Sequence, residues 1–150
     1  MPAPRSLYDQ DIFIWAEITG VLLRAGQWDT VDLAHLIEAV ESVAARQYTV
    51  VSSAVFQILV HLLKWHSQPV PQRRSWRISL IEQRARIPRR LRYAPSLVRV
   101  IPQMLLEEYP VACCKASAQT GLRLSTFPAI CPWTVAQVLD AEFWPEFARE

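Results

Sequence analysis

Polar side chains recur at regular intervals through the longest apolar stretch of the chain, residues 50–65. Ser53, Gln57, His61 and Lys64 follow one another at i, i+4, i+8 and i+11. This spacing places them on one narrow stripe of a helix that is otherwise apolar nearly all round, as buried helices are. A buried polar group without a partner costs about 1–3 kcal/mol, so the stripe requires polar partners elsewhere in the chain.

Two flanking segments offer such partners. If the helix before the central one ran antiparallel beside it, and the helix after it packed on both, six polar side chains would converge. This candidate polar centre comprises Glu38, Glu41, His61, Lys64, Gln83 and Arg84. We favour a buried network that fixes helix register over a ligand or anion pocket built on the same residues. A metal site is disfavoured, because two carboxylates and one histidine fall short of the paired Glu-x-x-His motifs of di-iron bundles. The sequence therefore predicts no metal and no cofactor.

A second candidate surface is basic. Residues 67–106 carry nine arginines against Glu82 alone, whereas residues 1–66 and 107–150 are each net −3. Arginines neutralise phosphates, and Trp76 and Tyr93 are available to stack on bases, so nucleic-acid binding is the alternative function. The residues concerned are Arg73, Arg74, Arg77, Arg86, Arg89, Arg90 and Arg92. No helix-turn-helix or RNA-binding motif is present, and we favour pairing with the acidic flanks of the same fold or of a second subunit.

The motifs of common enzymes are missing. The chain has three histidines, no Gly-x-Ser-x-Gly motif and no cysteine beside a histidine, which argues against a hydrolase and leaves no catalytic residue to nominate. Its three cysteines have no zinc-ligand spacing, so we expect buried, reduced thiols in a cytoplasmic protein. The N-terminus has no apolar segment typical of a signal peptide. The central apolar run is too short for a membrane span, and no membrane association is predicted.

Apolar periodicity predicts helices throughout. We expect a helix over 8–25 that ends at Gly26, and an amphipathic helix over 31–45 capped by Asp29 or Thr30. The second helix is predicted to continue into the central one. Its inward face carries Leu33, Leu36, Ile37, Val40 and Ala44. Pro69 and Pro71 then force an extended link.

The second half of the chain is predicted to hold three further helices. Ser75 caps the first, which kinks or breaks near Ile87 because Pro88 follows it. Its inner face carries Trp76, Leu80, Gln83, Arg84, Ile87 and Leu91. The next helix, over 97–118, has Ser96 as its cap and is interrupted by Pro102 and Pro110. A loop over 121–133 leads to a capping box, Thr134 to Gln137, and a short helix to Leu139. Phe143, Trp144 and Phe147 are apolar enough to dock the tail.

These elements define one fold class. The protein is predicted to be a single all-α domain over residues 1–150. It is a helical bundle of about five to six helices, with a C-terminal loop and short helix packed over it. Only three glycines occur in 150 residues, which disfavours a turn-rich β sandwich and removes any glycine-rich phosphate loop.

Short motifs spread along the chain, in order and without gaps, give a family resemblance. They are Y-D-Q-D at 8–11, L-L-R-A-G at 22–26, E-x-x-E-S at 38–42, H-L-L-K-W at 61–65, S-W-R at 75–77, E-Q-R at 82–84, T-G-L at 120–122, F-P-x-x-C-P-W-T at 127–134 and F-W-P at 143–145. With them the chain resembles the bacterial "domain of unknown function" family number twenty-nine. The resemblance implies an all-α domain without an established activity, and it carries over no catalytic residue.

The expected function is accordingly general. The sequence favours a small helical module that acts through contact with another protein, or as a homo-oligomer, over an enzyme. Nucleic acid is the less favoured partner. The chain departs from the family where Ala44, Ala45, Gln47 and Ala54 stand at positions at which charged residues or glycine are common, so an activity of the family that used those positions would be lost here.

Overall fold

The computed structural model describes residues 6–68 and 73–146 of the 150-residue chain. Its secondary structure in these ranges is helical, as predicted. The α-helices are α1 (Leu7–Gln10), α2 (Ile12–Arg24), α3 (Leu33–Ser67), α4 (Arg73–Tyr93), α5 (Ile101–Thr120) and α6 (Val135–Leu139). Short 3-10 segments lie at Trp28–Thr30, Pro95–Val100 and Leu124–Thr126. The proline-rich link at 69–72, the side chain of Arg73, and Phe147 lie outside the residues that can be described.

The chain divides into two compact units, Met1–Ala45 and Arg46–Glu150. The first contains α1, α2 and the N-terminal part of α3. The second contains the remainder of α3 and all later helices. A single domain over 1–150 stays a prediction.

The first unit opens with a helix break that the sequence did not predict. In place of one helix over 8–25, α1 ends and α2 begins at Asp11, whose backbone is extended (φ −154°, ψ 92°). The Asp11 carboxylate accepts a hydrogen bond from the Ile14 amide at 3.0 Å. Aspartate is favoured at the start of a helix because its carboxylate accepts a hydrogen bond from an amide that has no partner within the helix. Here this cap begins a second helix at the point where a single helix was predicted to continue.

The ends of α2 and the start of α3 are set by local chemistry. Gly26 has φ +68°, which confirms the predicted stop. The cap of α3 is Asp32, not Asp29 or Thr30: its carboxylate accepts from the His35 amide at 3.3 Å and lies 2.6 Å from the His35 ring. Asp29 and Thr30 belong instead to the 3-10 segment.

Few side chains of the first unit are buried. Trp15 and Thr19 of α2 are the buried ones among those described. Tyr8 packs edge-on against Trp15 and stacks on His35, which ties α1 to both other helices of the unit. The predicted inward face of residues 33–44 is not covered: Leu33, Ile37, Val40 and Ala44 are exposed.

The second unit has a continuous apolar core. It is built on the C-terminal part of α3, where Val51, Val55, Ile58, Leu59, Leu62 and Leu63 are fully buried. Leu80 and Ile87 of α4, and Met104 and Ala112 of α5, complete the cluster. The predicted inner face of α4 is confirmed: Trp76 and Arg84 are also buried, and Gln83 and Leu91 are half-buried.

The prolines interrupt the helices less than expected. Helix α4 runs without a break to Tyr93 although it contains Pro88, and α5 runs from Ile101 to Thr120 although it contains Pro110. Both prolines are exposed, and the carbonyls that they leave without an intrahelical donor are those of Arg84 and Leu106, four residues earlier. Pro102 lies in the first turn of α5, where no amide donor is needed. Two predicted caps were wrong, since Ser75 lies inside α4 and Ser96 lies in the 3-10 segment before α5.

A C-terminal strap, residues 133–146, crosses this core as predicted. Its helix α6 begins with a complete capping box, in which Thr134 accepts from the Gln137 amide and Gln137 accepts from the Thr134 amide. Trp133 and Val138 are buried in the core, and Phe143 and Trp144 pack against it. The short helix is therefore held by tertiary contacts, which a five-residue helix requires.

One helix of the described residues, α3, is long and apolar enough to cross a membrane by length and composition alone. This is weak evidence for a span, because core helices of soluble proteins pass the same test. Nine residues of α3 are buried inside the protein itself.

Gly121 ends α5 with φ +75°, a conformation that costs an L-residue roughly 1–2 kcal/mol. Gly121→Ala should lower the free energy of unfolding by about that amount, measured by urea denaturation followed by circular dichroism. Gly20→Ala is the matched control. Gly20 lies inside α2, and an added Cβ would meet only the Arg24 side chain, at 3.6 Å. The control should be neutral or stabilising; equal losses in the two variants would contradict the role of backbone conformation.

Candidate functional site

The six residues of the predicted polar centre are divided between the two units. Glu38 and Glu41 lie in the first, and His61, Lys64, Gln83 and Arg84 in the second. The antiparallel arrangement on which their convergence depended is not observed, because residues 33–67 form one helix. Glu41 is exposed, and Glu38 is exposed and accepts a hydrogen bond from the Tyr8 hydroxyl at 3.5 Å.

Arg84 is the most fully bonded side chain of the centre. It is buried, at 4% exposure, and its guanidinium donates to three backbone carbonyls of the C-terminal strap. Nε donates to Val138 at 2.9 Å, Nη1 to Phe143 at 2.8 Å and Nη2 to Gln137 at 3.2 Å. Burial lowers the pKa of Arg84, and Asp140 partly opposes this. These bonds assign Arg84 a structural task, which is to hold the strap against α4.

Aromatic contacts reinforce the same attachment. The Trp144 ring packs against Trp65 at 4.8 Å between centroids, and the guanidinium carbons of Arg77 and Arg84 lie 5.4 and 5.8 Å from its centroid. His66 is 2.6 Å from the Glu146 carbonyl oxygen through Nδ1. The strap is thus joined to α3 and to α4 by separate contacts, and its removal would expose core from both helices.

Lys64 lies at the edge of the same region, and no carboxylate in the described part of the chain forms an ion pair with it. Its ammonium group donates to the Gln119 side-chain oxygen at 3.1 Å and lies 4.8 Å from the centroid of the Trp76 ring. Burial lowers the pKa of Lys64. A neutral amide and an aromatic face are weak substitutes for a counter-ion, so the positive charge of this lysine remains available to an anion.

His61 has the most perturbed titration of the centre. Burial, followed by the charge of Lys64, lowers its pKa from 6.5 to about 4. Its Nδ1 is buried and has no hydrogen-bond partner. The ring is therefore neutral at physiological pH. No cluster of three metal-ligating side chains occurs anywhere in residues 6–68 and 73–146.

The other arginines of α4 lie in a different environment from Arg84, which is buried. Arg74, Arg77, Arg86, Arg89, Arg90 and Arg92 are exposed. Within the described ranges no ion pair joins any of them to a carboxylate; the ion pair found there is that of Asp32 with His35. Pairing with acidic flanks of the same chain is therefore not observed. Trp76 is buried and unavailable for stacking, whereas Tyr93 is 72% exposed.

Three of these arginines and Tyr93 line a concave surface with one further residue. A pocket of about 640 Å³ is lined by Arg86, Arg89, Arg90 and Tyr93 of α4 and by Val50 of α3. The sequence indicated the basic block but not the pocket, because the contribution of Val50 depends on how α3 and α4 pack.

An apolar groove was missed entirely. It measures about 860 Å³ and lies between α5 and the loop that follows it, lined by Tyr109, Pro110, Cys113, Cys114, Leu124, Ser125, Thr126, Phe127, Pro128 and Ala129. The Tyr109 hydroxyl donates to the Pro128 carbonyl at 2.7 Å and fixes the loop. Burial raises the pKa of Cys113 and of Cys131, so both thiols stay protonated and poorly nucleophilic. Cys114 is exposed, unlike the buried thiols expected.

The fold and these surfaces define a small all-α protein. The chain matches the family described as Domain of unknown function DUF29 over residues 7–144, which is nearly its full length. It belongs to that family, and the resemblance seen in its motifs is confirmed. No curated protein and no solved structure matches the chain.

The role of Arg84 predicts a large loss of stability when it is removed. Arg84→Met leaves three strap carbonyls without donors, and we expect the free energy of unfolding to fall by about 3 kcal/mol or more. Limited proteolysis should then cut near residues 137–143. Arg86→Met, two residues along the same helix and exposed, should change stability by less than about 0.5 kcal/mol. Similar stability in both variants would show that the strap does not depend on the guanidinium.

The low pKa of His61 predicts an acid-dependent loss of stability. Because the unfolded chain binds a proton near pH 6.5 and the folded chain near 4, unfolding takes up a proton in that window. His61 therefore contributes stability above pH 6.5 that is lost as the pH falls towards 4. The slope is at most about 1.4 kcal/mol per pH unit, reduced by the partial exposure of the ring.

Replacing the His61 imidazole tests whether this residue causes the loss of stability in acid. His61→Leu should flatten the dependence of unfolding free energy on pH between 6.5 and 4. His35→Asn is the control. The pKa of His35 is raised by its hydrogen bond to Asp32, so its contribution has the opposite sign and is lost as the pH rises. If the acid slope survives in His61→Leu, the titration belongs to another group.

Proposed function

We propose that this protein is a cytosolic helical module that acts through protein–protein contact, and that its partner is a second copy of the same chain. The observation that supports this most directly is an apolar seam on α3. The seam follows the 4–3–4–3 spacing of a coiled coil over residues 33, 37, 40, 44, 47, 51, 54 and 58, all of which are apolar except Gln47.

Only one half of this seam is covered. In its C-terminal half, Val51, Ala54 and Ile58 are at most 2% exposed. In its N-terminal half, Leu33 is 62% exposed, Ile37 50% and Val40 63%. A coiled-coil seam is stable when a second helix fills its holes, and the described residues of the first unit leave this half unfilled.

Helix α2 carries a similar uncovered line. Ile14, Ile18 and Val21 have the same 4–3 spacing and are exposed. Each copy therefore presents apolar lines on two helices, and two copies bring four such helices together. This is the composition of a four-helix arrangement, in which each helix buries its line against neighbours.

The exposed apolar area is sufficient for a stable dimer. Among the described residues, eleven of the nineteen exposed large hydrophobic side chains lie in the first unit, which is less than a third of the chain. Two of the eleven are aromatic, a type that buries roughly 150–250 Å² each, and the other nine are smaller aliphatic side chains. Covering most of them would bury an area of the order of the ~800 Å² per partner of a standard protein interface.

The net charge of the first unit argues against a membrane or a nucleic acid as the partner of its exposed apolar surface. Residues 1–45 carry seven acidic and two basic side chains, a net charge of −5. An anionic bilayer or a nucleic acid would be repelled by it. A second copy brings the same negative charge, but its apolar lines are complementary, and salt screens the repulsion at physiological ionic strength.

The first test is the solution mass. Wild-type protein should sediment as a dimer at micromolar concentration, and Ile37→Glu with Val40→Glu should sediment as a monomer. Ile78→Glu with Ile81→Glu is the matched control, since these α4 residues have the same i, i+3 spacing, exposures of 49% and 50%, and the same change of charge. The control should remain dimeric. A monomeric wild-type protein, or one that floats with lipid vesicles, would refute the proposal.

Salt dependence gives an independent test of how the two copies pair. If acidic first units meet, higher salt should strengthen the dimer by screening their repulsion. If the first unit of one copy instead met the arginines of the other, higher salt would weaken it. Sedimentation equilibrium at low and high salt distinguishes these arrangements, and weakening would overturn the symmetric pairing of first units.

A further inference from the structure

The pocket between α3 and α4 has a regular construction. Arg86, Arg89, Arg90 and Tyr93 occur at i, i+3, i+4 and i+7, so they share one face of α4. Val50 of α3 closes the wall. Helix α3 continues on either side of Val50, and α4 runs through the three arginines and ends at Tyr93, so the backbone from which these side chains extend is helical. The pocket volume of about 640 Å³ lies within the usual range for small-ligand sites.

Its positive charge has no counter-charge among the residues described. Glu82 lies one turn before Arg86 on α4, but no ion pair joins them. Glu107 and Glu108 of α5 are engaged by the hydroxyls of Tyr48 and Ser52. Those two residues flank Val50 at a distance of two positions, which places them on the opposite side of α3. The acidic pair therefore faces away from the arginines.

The side chains present match the chemistry of a nucleotide. Guanidinium groups bind phosphate oxygens through paired N–H donors, and three of them surround one space. Tyr93, 72% exposed at the end of the arginine face, presents an aromatic ring on which a base can stack. A carboxylate-bearing peptide would use the arginines but would have no need of the ring.

We propose that this pocket binds one nucleotide unit of a single-stranded nucleic acid, with its phosphate on the arginines and its base on Tyr93. A duplex keeps its bases stacked inside the helix, so it would offer the pocket phosphates but no base face. A single strand offers both. This site is separate from the dimer surface of the first unit, and either proposal can fail without the other.

The direct test is fluorescence anisotropy with a labelled oligothymidylate or oligouridylate, with unlabelled mononucleotide as competitor. The strand should bind, and mononucleotide should displace it only at much higher concentration, because neighbouring phosphates add contacts outside the pocket. Binding of the free mononucleotide without binding of the strand would overturn the single-strand assignment. Absence of binding by both, or equal binding of polyglutamate, would overturn the site.

Two variants locate the interaction. Arg89→Ala with Arg90→Ala should weaken strand binding by at least about tenfold and reduce the slope of log affinity against log salt by about 1.4. Tyr93→Ala should weaken it by at least about fivefold, while Tyr93→Phe, which keeps the ring, should bind like the wild type.

The matched control is Arg99→Ala with Arg123→Ala, which removes the same charge from exposed arginines outside the pocket. It should lose much less affinity than the pocket pair, and all variants should keep the solution mass of the wild type. Equal losses in the two arginine pairs would show diffuse electrostatic attraction and overturn the pocket.

Discussion

The apolar seam of α3, interrupted only at Gln47 between residues 33 and 58, is the feature on which the rest of the structure depends, because exposed apolar surface in water is unfavourable. Helix α3 has 35 residues, and the second unit covers the half that contains Val51, Ala54 and Ile58. The buried half of α3 is the centre of the core, since α4, α5 and the strap all contribute side chains to the cluster around it. The other half bears equally apolar residues at the same spacing and is exposed. The free energy available from covering it is on the scale of 25 cal/mol per Å² of apolar surface, and a second chain can supply that cover.

Arg84 shows how a buried charge is accommodated without a carboxylate. Three carbonyls of the strap accept from its three nitrogens, so the guanidinium is bonded although no counter-ion among the described residues pairs with it. The partial negative charges of these carbonyls stabilise the guanidinium. The guanidinium in turn donates to Gln137 and Val138, whose carbonyls lie in the last turn of α6 and have no partner within that helix. His61, unlike Arg84, avoids a buried charge by remaining neutral. Without a partner for Nδ1 it remains neutral, and its protonation in acid is opposed by burial and by Lys64.

Local chemistry was predictable from the sequence, and long-range pairing was not. The stop at Gly26, the capping box from Thr134 to Gln137 and the inner face of α4 depend on residues within one or two turns, and all three are confirmed. The break at Asp11 was missed because apolar periodicity continues across it. Side chains of the polar centre were expected to bond one another, but Arg84 bonds backbone carbonyls more than fifty residues away. Every residue has a backbone carbonyl, so the residue types in the sequence could not identify the acceptors of Arg84.

Exposure of the face at residues 33–44 has the most consequence for function. Periodicity shows that such a face is to be buried, but it does not show against which chain. The same limit applies to the arginines of α4, whose sequence neighbours gave no sign that Val50 would complete a pocket with them. The two surfaces also differ in sign, since the first unit carries −5 and the remaining residues +7. The apolar lines of the first unit suit a second copy, and its acidic charge repels nucleic acid, whereas a basic pocket with an exposed ring attracts nucleic acid. Segregation of charge therefore keeps the two proposed contacts on separate parts of the chain, and added salt should act on them in opposite directions.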